Sequence, residues 1–234
     1  MRPPSSSPSI GTAILAVVRQ NRVPCLLLNV VVILLVWSYY KWPPAAGWWQ
    51  AVADFKVRWS FVFSFFAAVL AGAVLPFGIQ LLMGTMPPGG RMKRFISLVL
   101  FWGYRGMEID LMYRAQAIVF GHGHDFATLA KKVAADQFIY SALWAVPAYA
   151  VALRFIDLGC SWSRTRPTLD RYFWRHTFPT ILVTNWLVWL PTVALVYSLP
   201  VPLQFPLFSV VMCVFVLMVT LLASARQQGE PTHS

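Results

Sequence analysis

The chain has 234 residues, 58% of them hydrophobic and only 12% charged; a soluble domain carries about 25% charged residues, so a water-facing globule is excluded. Its formal charge of +11, from 19 Lys and Arg against 8 Asp and Glu, is spread between apolar runs rather than along a polar fold, which argues against nucleic acid as a partner. Because those runs are continuous rather than alternating, and a spanning helix needs roughly 20 apolar residues, the expected fold is an all-α membrane protein, a polytopic bundle of about six transmembrane helices.

Residues 1–22 read as a polar and basic tail, with Arg2, Arg19, Arg22 and a Ser5-Ser6-Ser7 run but no acid. That composition weakly resembles a transit peptide. The simpler reading is a Pro/Ser tail followed by a short interfacial helix near Ile10–Gln20. A single transmembrane domain is expected over 23–224. Its first span, Val23–Tyr40, ends in Trp37, Tyr39, Tyr40 and Trp42, rings that favour the headgroup level. Pro43-Pro44 breaks the helix, and Trp48 and Trp49 extend along the same interface.

The second span is expected over about Ser60–Met83. Ala67 and Ala71, and Ala68 and Gly72, lie four apart and allow close helix approach; Pro76 and Gly78 invite a kink. Pro87-Pro88-Gly89-Gly90 is the clearest loop. The third segment, Phe95–Phe120, is long enough to span, but Arg105, Glu108, Asp110 and Arg114 interrupt it.

Asp125 is a suitable N-cap for a fourth helix running to about Phe155. Its first turns, with Lys131, Lys132 and Asp136, are expected to be wet or interfacial, and Pro147 bends it. Residues 156–178 form a basic, aromatic connector with a short surface helix: Arg164, Arg166, Arg171 and Arg175 alternate with Trp162, Tyr172, Phe173 and Trp174. The fifth and sixth spans are expected at about Pro179–Leu199 and Gln204–Ala223. Between them Pro200-Val201-Pro202 forces a tight hairpin, and a polar tail, 225–234, closes the chain.

With six spans, one side of the membrane gathers the N-tail arginines, Arg91, Lys93, Arg94, the connector cations and Arg226. The other holds only Lys41, Lys56, Arg58, Lys131 and Lys132. The bias places both termini in the cytoplasm or an organelle matrix. If the third segment lay on the surface instead, the number of spans would fall to five and the orientation would have to be reassigned.

An ionised group at the bilayer centre costs ~2.5–3.5 kcal/mol on insertion scales, so such groups face protein or water. On a helical wheel Arg105 and Glu108 are about 60° apart, and Asp110 and Arg114 about 40° apart on nearly the opposite side. Both pairs have ion-pair spacing. They read either as the lining of a solute path or as locks between helices.

Other chemistry is poorly supported. His122 and His124 flank Gly123 beside Asp125, but a solvated turn is the simpler reading than a metal site. Cys25, Cys160 and Cys213 form no Cys-x-x-Cys pair. There is no phosphate-binding glycine loop, nucleophile elbow or His-Glu-x-x-His motif, and Glu108 and Asp110 point about 160° apart, a poor acid–base pair. No enzyme activity, cofactor or metal is expected. Membrane lipids and a second copy of the chain are the partners the composition allows.

Several spaced motifs carry a resemblance. Lys131-Lys132 precedes Asp136-Gln137 at a helix entry. Gly106 is followed by Tyr113-Arg114. Thr184-Asn185-Trp186, Trp189, Pro191, Tyr197 and Pro200 stand near the end. In this order they resemble the family of the small peroxisomal membrane protein and its mitochondrial inner-membrane relative, Mpv-seventeen, over about residues 60–224. The first span looks like an addition to that family's core. The resemblance implies a multi-helix membrane fold and a channel-like role for small solutes, with Gly106, Tyr113, Lys132, Asp136, Gln137, Asn185, Trp189 and Pro191 as motif positions. The sequence departs from the pattern at Met107, Asp110, Val193, Val196 and Gln204. With no convincing transit peptide, a bacterial cytoplasmic membrane is favoured here over the mitochondrial inner or peroxisomal membranes of that family.

Taken on its residues alone, the Asp136-Gln137 pair reads as polar groups meeting water or a loop at a helix start. Asn185 reads as an interhelical hydrogen bond, and Trp189 and Pro191 as packing.

Overall fold

A computed structural model describes residues 10–85 and 90–229. The Pro/Ser tail at 1–9, most of the Pro87–Gly90 loop and residues 230–234 lie outside the described residues. Every regular element among the described residues is helical. We number them α1 (Ile10–Lys41), α2 (Pro43–Leu82), α3 (Arg91–Phe120), α4 (Phe126–Asp157), the one-turn α5 (Trp162–Thr165), α6 (Phe173–Tyr197) and α7 (Val201–Gly229). Four of them, α2, α4, α6 and α7 to Met218, are long and apolar enough to cross a membrane, and Cys25–Lys41 of α1 is a shorter apolar helix. The chain is an all-α integral membrane protein.

The expected short interfacial helix at Ile10–Gln20 is not separate: it continues into the first apolar run as one 32-residue helix. α2 likewise begins before Ser60, at Pro43. Its break lies at Ser60 itself, whose φ of 46° and ψ of −120° interrupt the helix. The connector ends earlier than expected, because α6 starts at Phe173 rather than Pro179. The helix of the last span continues through most of the expected polar tail, to Gly229.

Three helices widen into a π-turn: Leu70–Val74 in α2, Ala135–Ala145 in α4 and Phe173–Thr177 in α6. Each ends two residues before a proline, at Pro76, Pro147 and Pro179. A proline ring clashes with the carbonyl four residues back and offers it no N–H. Widening the preceding turn moves that carbonyl aside and lets the helix continue. The kinks anticipated at Pro76 and Pro147 therefore take this form.

α7 is the central helix. It touches α1, α2, α3 and α6, and Leu203, Gln204, Phe205, Leu207, Phe208, Val211 and Met212 are all buried, the all-round burial of a core helix. The most extensive contact joins α2 to α3. Small residues permit it, since lipid gives helices no hydrophobic reason to associate and close packing must supply the attraction. A Cβ on Gly106 would fall within 3.0 Å of the Ser64 carbonyl and Ala68, and one on Gly72 would strike the Trp102 ring. Ala68 and Gly72 thus serve as the sequence suggested.

α3 runs antiparallel beside α4. Arg94 near its start pairs with Asp157 at the end of α4 at 2.9 Å, and its middle meets Tyr140 and Trp144. α3 is inverted relative to a soluble helix: Ile96, Leu100, Leu111 and Ile118 point outward, while Arg105 and Asp110 are buried.

Candidate functional site

The four charges of α3 divide between two neighbours, as their positions on the helix require. Asp110 faces α2. Its Oδ2 accepts from Lys56 Nζ at 2.8 Å, Ser64 Oγ at 3.0 Å and Arg114 Nη2 at 3.2 Å. Lys56 also donates to the Ser60 carbonyl at 2.8 Å, and Arg114 to Ser60 Oγ at 2.9 Å. The distorted backbone at Ser60 thus turns both a carbonyl and a hydroxyl toward the cluster. Phe63 and Phe205 place ring faces near the Lys56 ammonium, and Phe61 lies under the Arg114 guanidinium, contacts that favour a desolvated cation.

Glu108 faces α4. Its Oε2 accepts from Arg105 at 2.7 Å, and its Oε1 from Tyr140 OH at 2.9 Å and Trp144 Nε1 at 2.6 Å. Each carboxylate therefore has a cation and further donors, the condition under which a buried ion pair is tolerable.

Lys56 corrects the sequence reading. It is not a loop cation but is 2% exposed and paired with Asp110. The signal was present as Lys56, Ser60 and Ser64, four apart, a polar stripe running into the apolar part of the helix.

The motif positions gather elsewhere, around Asp136. Its carboxylate accepts from Tyr197 OH at 2.7 Å, Gln137 Nε2 at 2.9 Å and Ser141 Oγ at 3.4 Å. Asp136 and Gln137 are buried in the bundle, not solvated at a helix entrance. Tyr113 packs edge-on against Tyr197 with ring centres 5.4 Å apart, and Trp189 stacks on Phe208 at 5.1 Å. Pro191 lies on the exposed side of α6. Trp186, rather than Asn185, makes the bond from α6 to α4, donating to the Gln137 carbonyl at 2.9 Å. Among the described residues, Asn185 Nδ2, Gln137 Oε1 and Gln116 Oε1 are buried without a partner.

Lys132 is also buried, at 2% exposed, and not at a wet interface as expected. It lines a cavity of about 220 Å³ with His122, His124 and the segment from Leu199 to Gln204. Asp125 caps α4 by accepting from the Thr128 N–H at 3.0 Å.

At the opposite end, Arg164, Arg166, Arg171 and Arg175 are exposed. Beside them an open-sided apolar groove of about 630 Å³ runs along α4 between Leu143, Trp144, Val151, Phe155 and Trp162. Among the described residues no group of three His, Cys, Asp or Glu is arranged to hold a metal ion. No family model, curated protein or solved structure matches the chain.

Proposed function

We propose that the chain is a non-conducting membrane bundle that organises anionic lipids or partner proteins at its basic face. The observation that carries this reading is the saturation of the α3 charges. Arg105, Glu108, Asp110 and Arg114 are bound to α2 and α4 rather than turned toward a shared cavity. On this reading α3 spans the membrane beside α4, and its charges lock three helices together at mid-depth. The exposed connector arginines attract anionic headgroups, worth about 1 kcal/mol per basic residue near the surface, and the neighbouring groove accepts an acyl chain. With Lys56 and Lys132 buried, the excess of exposed cations on the connector side is larger than the sequence alone suggested, which supports a cytoplasmic connector. A bacterial cytoplasmic membrane, rich in anionic lipid, suits that arrangement.

A second reading is a channel for small solutes, as the resemblance to the Mpv-seventeen family implies. The unpartnered polar atoms of Gln116, Gln137 and Asn185 favour it, because buried polar groups without protein partners are commonly met by water. A path along them would run between α3, α4 and α6 and bypass the α3 ion pairs.

Solute efflux from liposomes separates the two. The first reading expects release no faster than from empty vesicles. It also expects higher thermal stability in phosphatidylglycerol than in phosphatidylcholine, reduced when the four connector arginines become glutamine. Release that shifts charge preference in an Asp110→Asn/Glu108→Gln chain would instead establish a pore lined by α3. Release indifferent to that change would place the path along α4 and α6.

A further inference from the structure

At the end of the bundle away from the connector, the loop between α3 and α4, the second turn of α4 and the start of α7 enclose the Lys132 cavity. We propose that this cavity binds a small oxyanion of the phosphate type, with the Lys132 ammonium as its anchor.

The first support is an uncompensated charge. Lys132 is 2% exposed, and among the described residues no carboxylate lies within ion-pair distance of it. Asp136, one turn along the same helix, is occupied by Tyr197, Gln137 and Ser141. Asp125, beside His124, is held by the Thr128 N–H. A buried cation left alone is costly, and such groups are normally paired; an anion in the cavity supplies the missing partner.

The remaining walls agree in chemistry. His122 and His124 bring two imidazoles, each able to donate a hydrogen bond. The start of α7 contributes the positive end of a 29-residue helix. Gln204, 2% exposed, donates its amide to the Leu199 carbonyl at 2.9 Å and leaves its own buried oxygen without a partner. The volume of about 220 Å³ lies below the roughly 300–1,000 Å³ of sites for drug-sized ligands, so the bound group is small: a free phosphate or the phosphate of a lipid headgroup. The inference holds whether or not the bundle conducts.

Equilibrium dialysis of the full chain in detergent micelles against labelled inorganic phosphate, with phosphatidic acid retention in phosphatidylcholine nanodiscs as a second arm, tests the site. Saturable binding that Lys132→Met weakens about tenfold or more, the loss of one charge-assisted hydrogen bond, supports it, provided that Lys131→Met on the exposed neighbouring residue leaves binding unchanged. If Lys132→Met does not fold, the exposed-loop variant His122→Ala/His124→Ala carries the test, with about threefold weakening expected. Binding of inorganic phosphate assigns a soluble anion. Retention of phosphatidic acid alone, lost in the same variants, assigns a headgroup. Absence of variant-sensitive binding in both arms overturns the proposal.

Discussion

Removing the Asp110 carboxylate should be more damaging than removing either of its cations. Lys56, Asp110 and Arg114 form a cluster with two positive charges and one negative. Asp110→Asn leaves two cations. The Arg114 side chain, 38% exposed, can turn outward, but the Lys56 side chain, 2% exposed, keeps only the Ser60 carbonyl and two aromatic faces. Stranding one member of a buried pair costs about 3–5 kcal/mol. Lys56→Met, by contrast, leaves a neutral Asp110–Arg114 pair with Ser64 still donating. It loses one charge-assisted hydrogen bond, about 1.5–3 kcal/mol, and is spared the desolvation of the ammonium. The double variant Lys56→Met/Asp110→Asn should therefore be more stable than Asp110→Asn alone, despite carrying one more change. Reversible unfolding in mixed detergent micelles, followed by helical circular dichroism, measures all three. Additive losses in the double variant, or an Asp110→Asn chain as stable as the parent, would refute the electrostatic reasoning.

Gly106→Val should destabilise the bundle by about 1–3 kcal/mol through overpacking, because the new side chain meets the Ser64 backbone and Ala68. Gly78→Ala, where nothing among the described residues lies within 4 Å, serves as its control and should be neutral or slightly stabilising; equal effects at the two sites would dismiss close approach as the reason for Gly106. At the start of α4, hydrogen bonding from Thr128, through its hydroxyl and then its backbone N–H, holds the Asp125 carboxyl below its ordinary value near 3.8. A lowered folded-state value stabilises the native state above the ordinary carboxylate range and loses that contribution as pH falls through the folded value. The protection of the Thr128 amide, its exchange rate relative to the intrinsic rate at each pH, should thus be constant from neutral pH down to that range and fall below it, while Asp125→Ala should remove the acid step.

The membrane class, the order of the helices and the Asp125 cap were legible because they depend on local composition and spacing. So were the two α3 pairs, since residues three and four apart on a helix must be neighbours. Their partners were not. Lys56 stood among aromatic residues before an expected span boundary, and only the position of the Ser60 break shows that it is inside the bundle. Pro43-Pro44 marks the boundary between α1 and α2 as the sequence suggested, but a further distortion falls at Ser60, which carries no proline or glycine signal. The burial of Lys132, Asp136 and Gln137 was hidden for another reason. A hydropathy pattern measures the average polarity of a helix start, whereas burial there is set by the α6–α7 hairpin, sixty residues later, folding over it.

The polar groups of this bundle fall into two kinds, and the difference bears on where function resides. Around the middle of α3 each oxygen of Glu108 and Asp110 has a donor, and Lys56, Arg105 and Arg114 each have an acid. A cluster so fully satisfied is stable in one arrangement and resists opening, because parting α3 from α2 or α4 would strand several charges at once. Around the start of α4 several polar groups are unmet among the described residues: the Lys132 ammonium without an acid, and Gln204, Gln137 and Asn185 each with an unpartnered atom. Unmet groups are what a ligand or water can reach with a gain in free energy. On the proposed reading, the charges that looked most like a solute path serve as the mechanical lock of the fold. The less conspicuous lysine, four residues before Asp136, marks a second end of the molecule, besides the connector, at which binding chemistry should be sought.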